Sequence, residues 1–189
     1  MTNKVLIFSS AMVLGLAACG HKDEGTNADV NMAADNAVFD NAVAPAAVPT
    51  TAQGFANAAA ASDKFEIDSS QLAASSAQSA AVKAFAAKMI SAHTASTAKL
   101  KSTVAGMSPA LTIDDTLSAA QQETLANLKA AHGADFDSAY KSAQVDAHQA
   151  TLDALNGYAA AGDNAQLKTL ASGMVPTVTA HLNMAKGLK

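Results

Sequence analysis

VKAFAAKMISAHTASTAKLKSTV, residues 82–104, is the stretch whose reading decides the fold. Val82, Phe85, Met89, His93, Ser96, Leu100 and Val104 recur at steps of three and four, while Lys83, Lys88, Lys99 and Lys101 fall elsewhere on the wheel. That period is the signature of an amphipathic helix with one face turned to a core. His93 sits in the middle of the face that should be buried. Glu66, His148 and His181 are likewise single polar, metal-capable residues in apolar stripes of other segments. An all-α bundle with a polar centre is the economical architecture.

Composition narrows the function classes. Half of the 189 residues are hydrophobic, yet only 4% are aromatic, there is no Trp, and alanine dominates. A core of that kind buries little area per residue and relies on close helix approach. All twelve basic residues are lysines and the net charge is -4. Without the bidentate fork of arginine, and with an acidic balance, nucleic acid is not an expected partner. The single cysteine, Cys19, excludes an internal disulfide.

The position of Cys19 accounts for it. Lys4 precedes an apolar run from Val5 to Ala18, too short for a membrane span and ending in small residues, as in a secretory signal. Leu16, Ala17, Ala18 and Cys19 resemble the lipobox of bacterial lipoproteins, which implies a signal peptide over residues 1–18 and a lipidated Cys19 anchored in a membrane. Gly20 stands where an aspartate would, by the same resemblance, favour inner-membrane retention. The expectation is therefore an outer-membrane lipoprotein facing the periplasm of a Gram-negative bacterium. From His21 to Gln53 no helical or strand period is sustained, so residues 19–53 read as the lipidated cysteine and a disordered tether. A flexible coil of that length reaches on the order of 30 Å.

The domain is expected over residues 54–189. A first helical stripe runs through Phe55, Ala58, Ser62, Phe65, Ser69 and Leu72, with Glu66 on its flank. Ser79 is placed to cap the second helix, which should end near Gly106 and Pro109. Ser118 and Gln121 form a capping-box pattern for a third helix that stops near Gly133, with Asp135 capping a continuation. That continuation presents Phe136, Tyr140, Ala143, Ala147, Thr151, Leu155 and Tyr158 on one face, with His148 beside Ala147. Gly162 and Asp163 mark the last boundary. The final helix carries Leu167, Leu170, Met174, Val178, His181, Ala185 and Leu188 in register, with a kink expected at Pro176.

Three segments carry a family resemblance: Phe85-Ala-Ala-Lys-Met-Ile-Ser-Ala-His93-Thr94, Gly133 to Tyr140 with Asp146-Ala-His148, and Leu170 to Pro176 with His181-Leu182. Together they resemble the bacterial family DUF4142, a group found in exported proteins. The resemblance implies a ferritin-like four-helix bundle and no defined activity; the stop at Gly133 would break the third helix of that bundle. Ala92 stands where the family pattern often has an acid.

A ferritin-like di-iron centre needs Glu-x-x-His pairs, but Ile90 and Val178 occupy the positions three before His93 and His181. What remains is Glu66, His93, His148 and His181, a set able to hold one transition-metal ion. Imidazoles suit copper, zinc, iron or nickel, and Met89, Met174 and Met184 would bias the site toward Cu(I) if they faced it. The alternative is that the histidines satisfy one another as hydrogen-bonded core residues. His132 reads as a favourable charge at a helix C-terminus, and the two tyrosines as core rings with hydroxyls at the edge. No nucleophile elbow or phosphate loop is present. Two readings follow: a non-catalytic envelope module that binds partners or serves stress responses, capable of homo-oligomerisation, or a metal-binding protein built on the Glu/His centre.

Overall fold

In the computed structural model, residues 48–189 are described; the expected signal peptide, Cys19 and most of the expected tether lie outside them. Five helices are present among the described residues: α1 (Ala52–Ser76), α2 (Ala80–Ala105), α3 (Ala119–Ala130), α4 (Gly133–Ala161) and α5 (Ala165–Lys186). Alanine, the strongest helix former, fills their surfaces and makes long uninterrupted helices inexpensive.

The ends are set by specific polar groups. Thr51 caps α1 by accepting from the Gly54 amide at 3.2 Å, so the helix starts ahead of the expected boundary at Gly54. Ser118 and Gln121 form the anticipated capping box of α3. Asn164, rather than Asp163, caps α5. Ser79 occupies the N-cap position of α2, but its hydroxyl makes no capping bond. The Asp137 carboxylate of α4 takes that role from a distance, accepting from the backbone amides of Gln78 (3.0 Å) and Ser79 (2.8 Å). The break in the third helix is real: α3 and α4 meet at Gly133, whose φ of +58° is the left-handed conformation glycine adopts at least cost. His132 directly follows Ala131, the C-cap of α3, and also occupies the N-cap position of α4, while Asp135 lies in the first turn of α4 without a capping role. α5 continues through Pro176, whose ring faces outward.

α1 and α2 form one antiparallel hairpin and α4 and α5 another; α1 lies against α4, and α2 against α5. The loop after α2 returns to the start of α1, where Gln53 Nε2 donates to the Thr112 carbonyl and the Asp114 amide to Asn57 Oδ1. α3 then runs back along α1 and α4 to the far end, where Gly133 bridges to Ala77. α4 descends until the Asp163 amide meets the Thr50 carbonyl, and α5 climbs until the Leu188 carbonyl accepts from Lys141 Nζ. Four antiparallel neighbours joined by one long crossover make the ferritin-like arrangement.

The core comes in two parts. Phe55, Ala56, Ala60, Leu100, Val104, Leu155, Tyr158, Leu167 and Leu170 fill one end, with Phe55 and Tyr158 stacked at 4.1 Å. Ala73, Val82, Phe85, Met89, Leu128, Phe136, Tyr140, Ala185 and Leu188 fill the other. Along each of the four long helices the polar centre lies between these two sets. α1 departs most from its expected stripe. Ala58 is exposed, while Ala56, Ala60, Asp63, Ser70 and Ala73 are buried, because α1 is covered by α2, α3 and α4 on three sides.

Candidate metal centre

At mid-height α2 contributes His93, α4 His148 and α5 His181, each bracketed in its own helix by residues of the two apolar clusters. One ring nitrogen from each lies within 4.8 Å of the other two. Ring centroids are 5.6 Å apart for His93 and His148, 5.7 Å for His93 and His181, and 5.5 Å for His148 and His181. Helical periodicity could put each ring inward; the shared height comes from the hairpin lengths and the crossover.

The remaining long helix, α1, supplies carboxylates. Asp63 is 3% exposed and Glu66 1%, beside His93 at 5%, His148 at 1% and His181 at 6%. Asp63 Oδ1 stands 2.8 Å from His93 Nδ1, and its Oδ2 accepts from the Thr97 hydroxyl at 3.1 Å. Thr97 also reaches the His93 carbonyl, tying the acid to the helix that carries the ring. His148 Nδ1 is 2.8 Å from the Gln144 carbonyl, and Glu66 Oε1 lies 3.5 Å from the same nitrogen. A carbonyl can only accept, so His148 carries its proton on Nδ1 and its lone pair on Nε2. The carboxylate does the same for His93.

The other side of each ring is unsatisfied. His93 Nε2, His148 Nε2 and His181 Nδ1 are buried without a hydrogen-bond partner among the described residues. Buried polar atoms are nearly always paired, so three orphaned nitrogens on three converging rings call for an explanation. Burial also pushes the protonation of His148 and His181 down to about 4, with the neighbouring His93 adding to the effect in both. Both rings are therefore neutral at physiological pH, the form that ligates metals.

The three nitrogens fit an ion. Two imidazoles sharing one ion at about 2.0–2.1 Å each stand roughly 3.5 Å apart, so a small closure of the rings from their present spacing completes the contact. The hydrogen bonds on the far nitrogens of His93 and His148 are those that orient imidazole ligands in metalloproteins. Glu66 takes a different place from the one expected: its contact is with the far side of His148, outside the three-nitrogen cluster. Burial raises its carboxyl to about 7, opposed by the nearby His93. Both its oxygens, and Gln144 Oε1, also lack partners among the described residues.

Asp63 and Gln144 are the residues sequence reading missed. Asp63 is three before Glu66 on the face set by Ala56, Ala60 and Ser70, a period hidden by the shifted choice of stripe. The methionines belong to the apolar ends and margin of the bundle, Met89 being fully buried in the cluster with Phe85 and Tyr140. Met174 packs with the apolar cluster at one end, and Met184 Sδ lies 3.7 Å from Lys88 Nζ at the helix margin. Tyr140 also differs from expectation, since its hydroxyl is buried against Ser70 Oγ at 2.7 Å.

Two solved structures share the fold. CopM in its Cu(II)-bound form superposes with a TM-score of 0.61 at 15% identity, covering 72% of this chain and 94% of that one. CopM in its Ag-bound form gives 0.57 at 16% identity, covering 72% and 93%. None of the curated proteins matches the sequence significantly. The family described as Domain of unknown function (DUF4142) matches residues 37–188, and the chain belongs to that family.

Proposed function

We propose that the protein binds one transition-metal ion in the middle of its bundle through His93, His148 and His181, and serves in metal handling rather than catalysis. The observation that carries this reading is the convergence of three buried histidines, each with a ring nitrogen within 4.8 Å of the other two and each with a buried ring nitrogen that has no partner among the described residues. Three imidazoles with no carboxylate in the cluster suit copper or zinc better than magnesium or calcium, which take oxygen ligands. CopM, alike in fold, has been solved with Cu(II) and with Ag. Copper is therefore the first ion to try. Asp63 orients His93 and supplies negative charge next to the ion.

The test uses residues Ala44–Lys189, a compact unit that contains both apolar clusters. It is purified without chelator or affinity metal, beside the His93→Gln, His148→Gln double variant. Elemental analysis and thermal melts with added copper, zinc and iron are the readouts. About one equivalent of metal and a rise in Tm, both absent in the variant, support the site. No bound metal and no shift in either protein would return the histidines to a purely structural role.

A further inference from the structure

An ion bound at the histidine centre needs a way in, and the packing leaves one. α1 lies closely on α2, and α4 on α5, while α3 runs over the seam between α1 and α4. The seam between α2 and α5 has neither protection: these two helices touch least of the four neighbouring pairs, and α3 is on the other side of the bundle. His93 and His181 stand on the two helices that flank it and are 5% and 6% exposed, against 1% for His148. A groove of about 430 Å³ opens on the same seam, lined by Phe85, Lys88 and Met184 with Leu188 beyond them. That is room for an ion with several waters at about 30 Å³ each.

The groove ends close to the rings. Met184 follows His181 by three residues and Lys88 precedes His93 by five, so at about 1.5 Å per residue its inner end is within roughly 8 Å of the ring layer along the bundle axis. Across the seam, Lys88 Nζ on α2 donates to Met184 Sδ on α5 at 3.7 Å. An ammonium is thus held over the approach by a weak bond to a thioether. Its charge reaches the centre: protonation of His181, pushed down to about 4 chiefly by burial and then by His93, is lowered further by Lys88. We propose that the ion enters and leaves the histidine centre between α2 and α5, and that Lys88 is a positively charged gate on this route. The proposal rests on the metal-site reading. A cation crossing the groove passes the ammonium in both directions, so the lysine slows entry and exit alike. Ala92, one turn beyond Lys88 and partly exposed, is the small side chain that leaves the passage open beside His93.

Stopped-flow mixing of residues Ala44–Lys189 with Cu(II) at low ionic strength, followed by quenching of tyrosine emission, reads entry. Transfer to excess chelator, at concentrations where the rate no longer depends on it, reads exit. Lys88→Gln should speed both by on the order of fivefold, the factor a unit charge exerts on a divalent ion about 8 Å away in bulk water. A lysine that only lay near the bound ion would, once removed, tighten binding and slow exit. Ala92→Leu should slow both rates several-fold, and Lys129→Gln, on α3 at the covered side, should leave them unchanged. Each of these side chains is at least partly exposed, and melting curves with elemental analysis establish that every variant folds and binds one equivalent. Absence of bound metal in the parent would overturn the metal site and the route with it. One equivalent bound, but with unchanged rates in Lys88→Gln and Ala92→Leu, slower exit in Lys88→Gln, or an equal gain in Lys129→Gln, would overturn the route alone.

Discussion

The two ends of the bundle and its middle are built on opposite principles. At the ends, Phe55 stacks on Tyr158 and Phe136 on Tyr140, and the tyrosine hydroxyls find Asp163 and Ser70. These aromatic rings are buried and their hydroxyls satisfied. In the middle, three ring nitrogens, both oxygens of Glu66 and one of Gln144 are buried without hydrogen-bond partners among the described residues. Each such atom costs roughly 1–3 kcal/mol of desolvation that no hydrogen bond returns. The ends therefore hold the fold, and the middle is tolerated because the ends are strong enough to carry it.

Substitutions sharpen that contrast. Phe136→Ala opens a cavity in a fully buried end and should cost about 3–5 kcal/mol in chemical denaturation. It should leave metal stoichiometry intact. His148→Leu should do the reverse: metal is lost, while the metal-free protein keeps or gains stability because an unpaired nitrogen has been removed. A large loss of stability in that variant would place the middle on the same footing as the ends.

Acid should reveal the middle next. His148 and His181 protonate near 4 in the fold and near 6.5 when unfolded, so the unfolded chain binds two extra protons between those values. Stability of the metal-free protein falls as pH drops through that window. Glu66 works the other way: the fold keeps its proton up to about 7, against 4.5 unfolded, so stability falls as pH rises from 4.5 to 7. Where the windows overlap, two histidines outweigh one carboxyl. Urea melts should show a net loss of about 1.4 kcal/mol per pH unit on acidification, and Glu66→Gln should roughly double that slope. A flat profile would mean that the rings are not desolvated. The smallest effect belongs to the crossover: Ser118→Ala breaks the α3 capping box and should cost about 1 kcal/mol, without touching metal binding.

The sequence made the helices legible because apolar spacing and end signals are local. Residues 82–104, the Ser118–Gln121 box and the halt at Gly133 all lie where pattern alone puts them. It also nominated His93, His148 and His181, since each interrupts an apolar stripe. It could not place them at one height, which depends on how the α1–α2 and α4–α5 hairpins are set by a crossover with no periodic signal. The same limit explains the misplaced details. Asp137 caps α2 from another helix, and α1 buries three sides because α3 happens to lie across it. Asp63 was lost in that broad buried surface, although it holds the hydrogen bond that orients His93.

The most direct test of the central claim is the nitrogen NMR spectrum of the histidine rings, taken on residues Ala44–Lys189 before and after one equivalent of Cu(I). Metal bound by the triad should shift Nε2 of His93, Nε2 of His148 and Nδ1 of His181 together, while Nδ1 of His93 and His148 stay protonated on Asp63 and the Gln144 carbonyl. Unmoved resonances in all three rings, or a shift confined to the exposed His132, would contradict it.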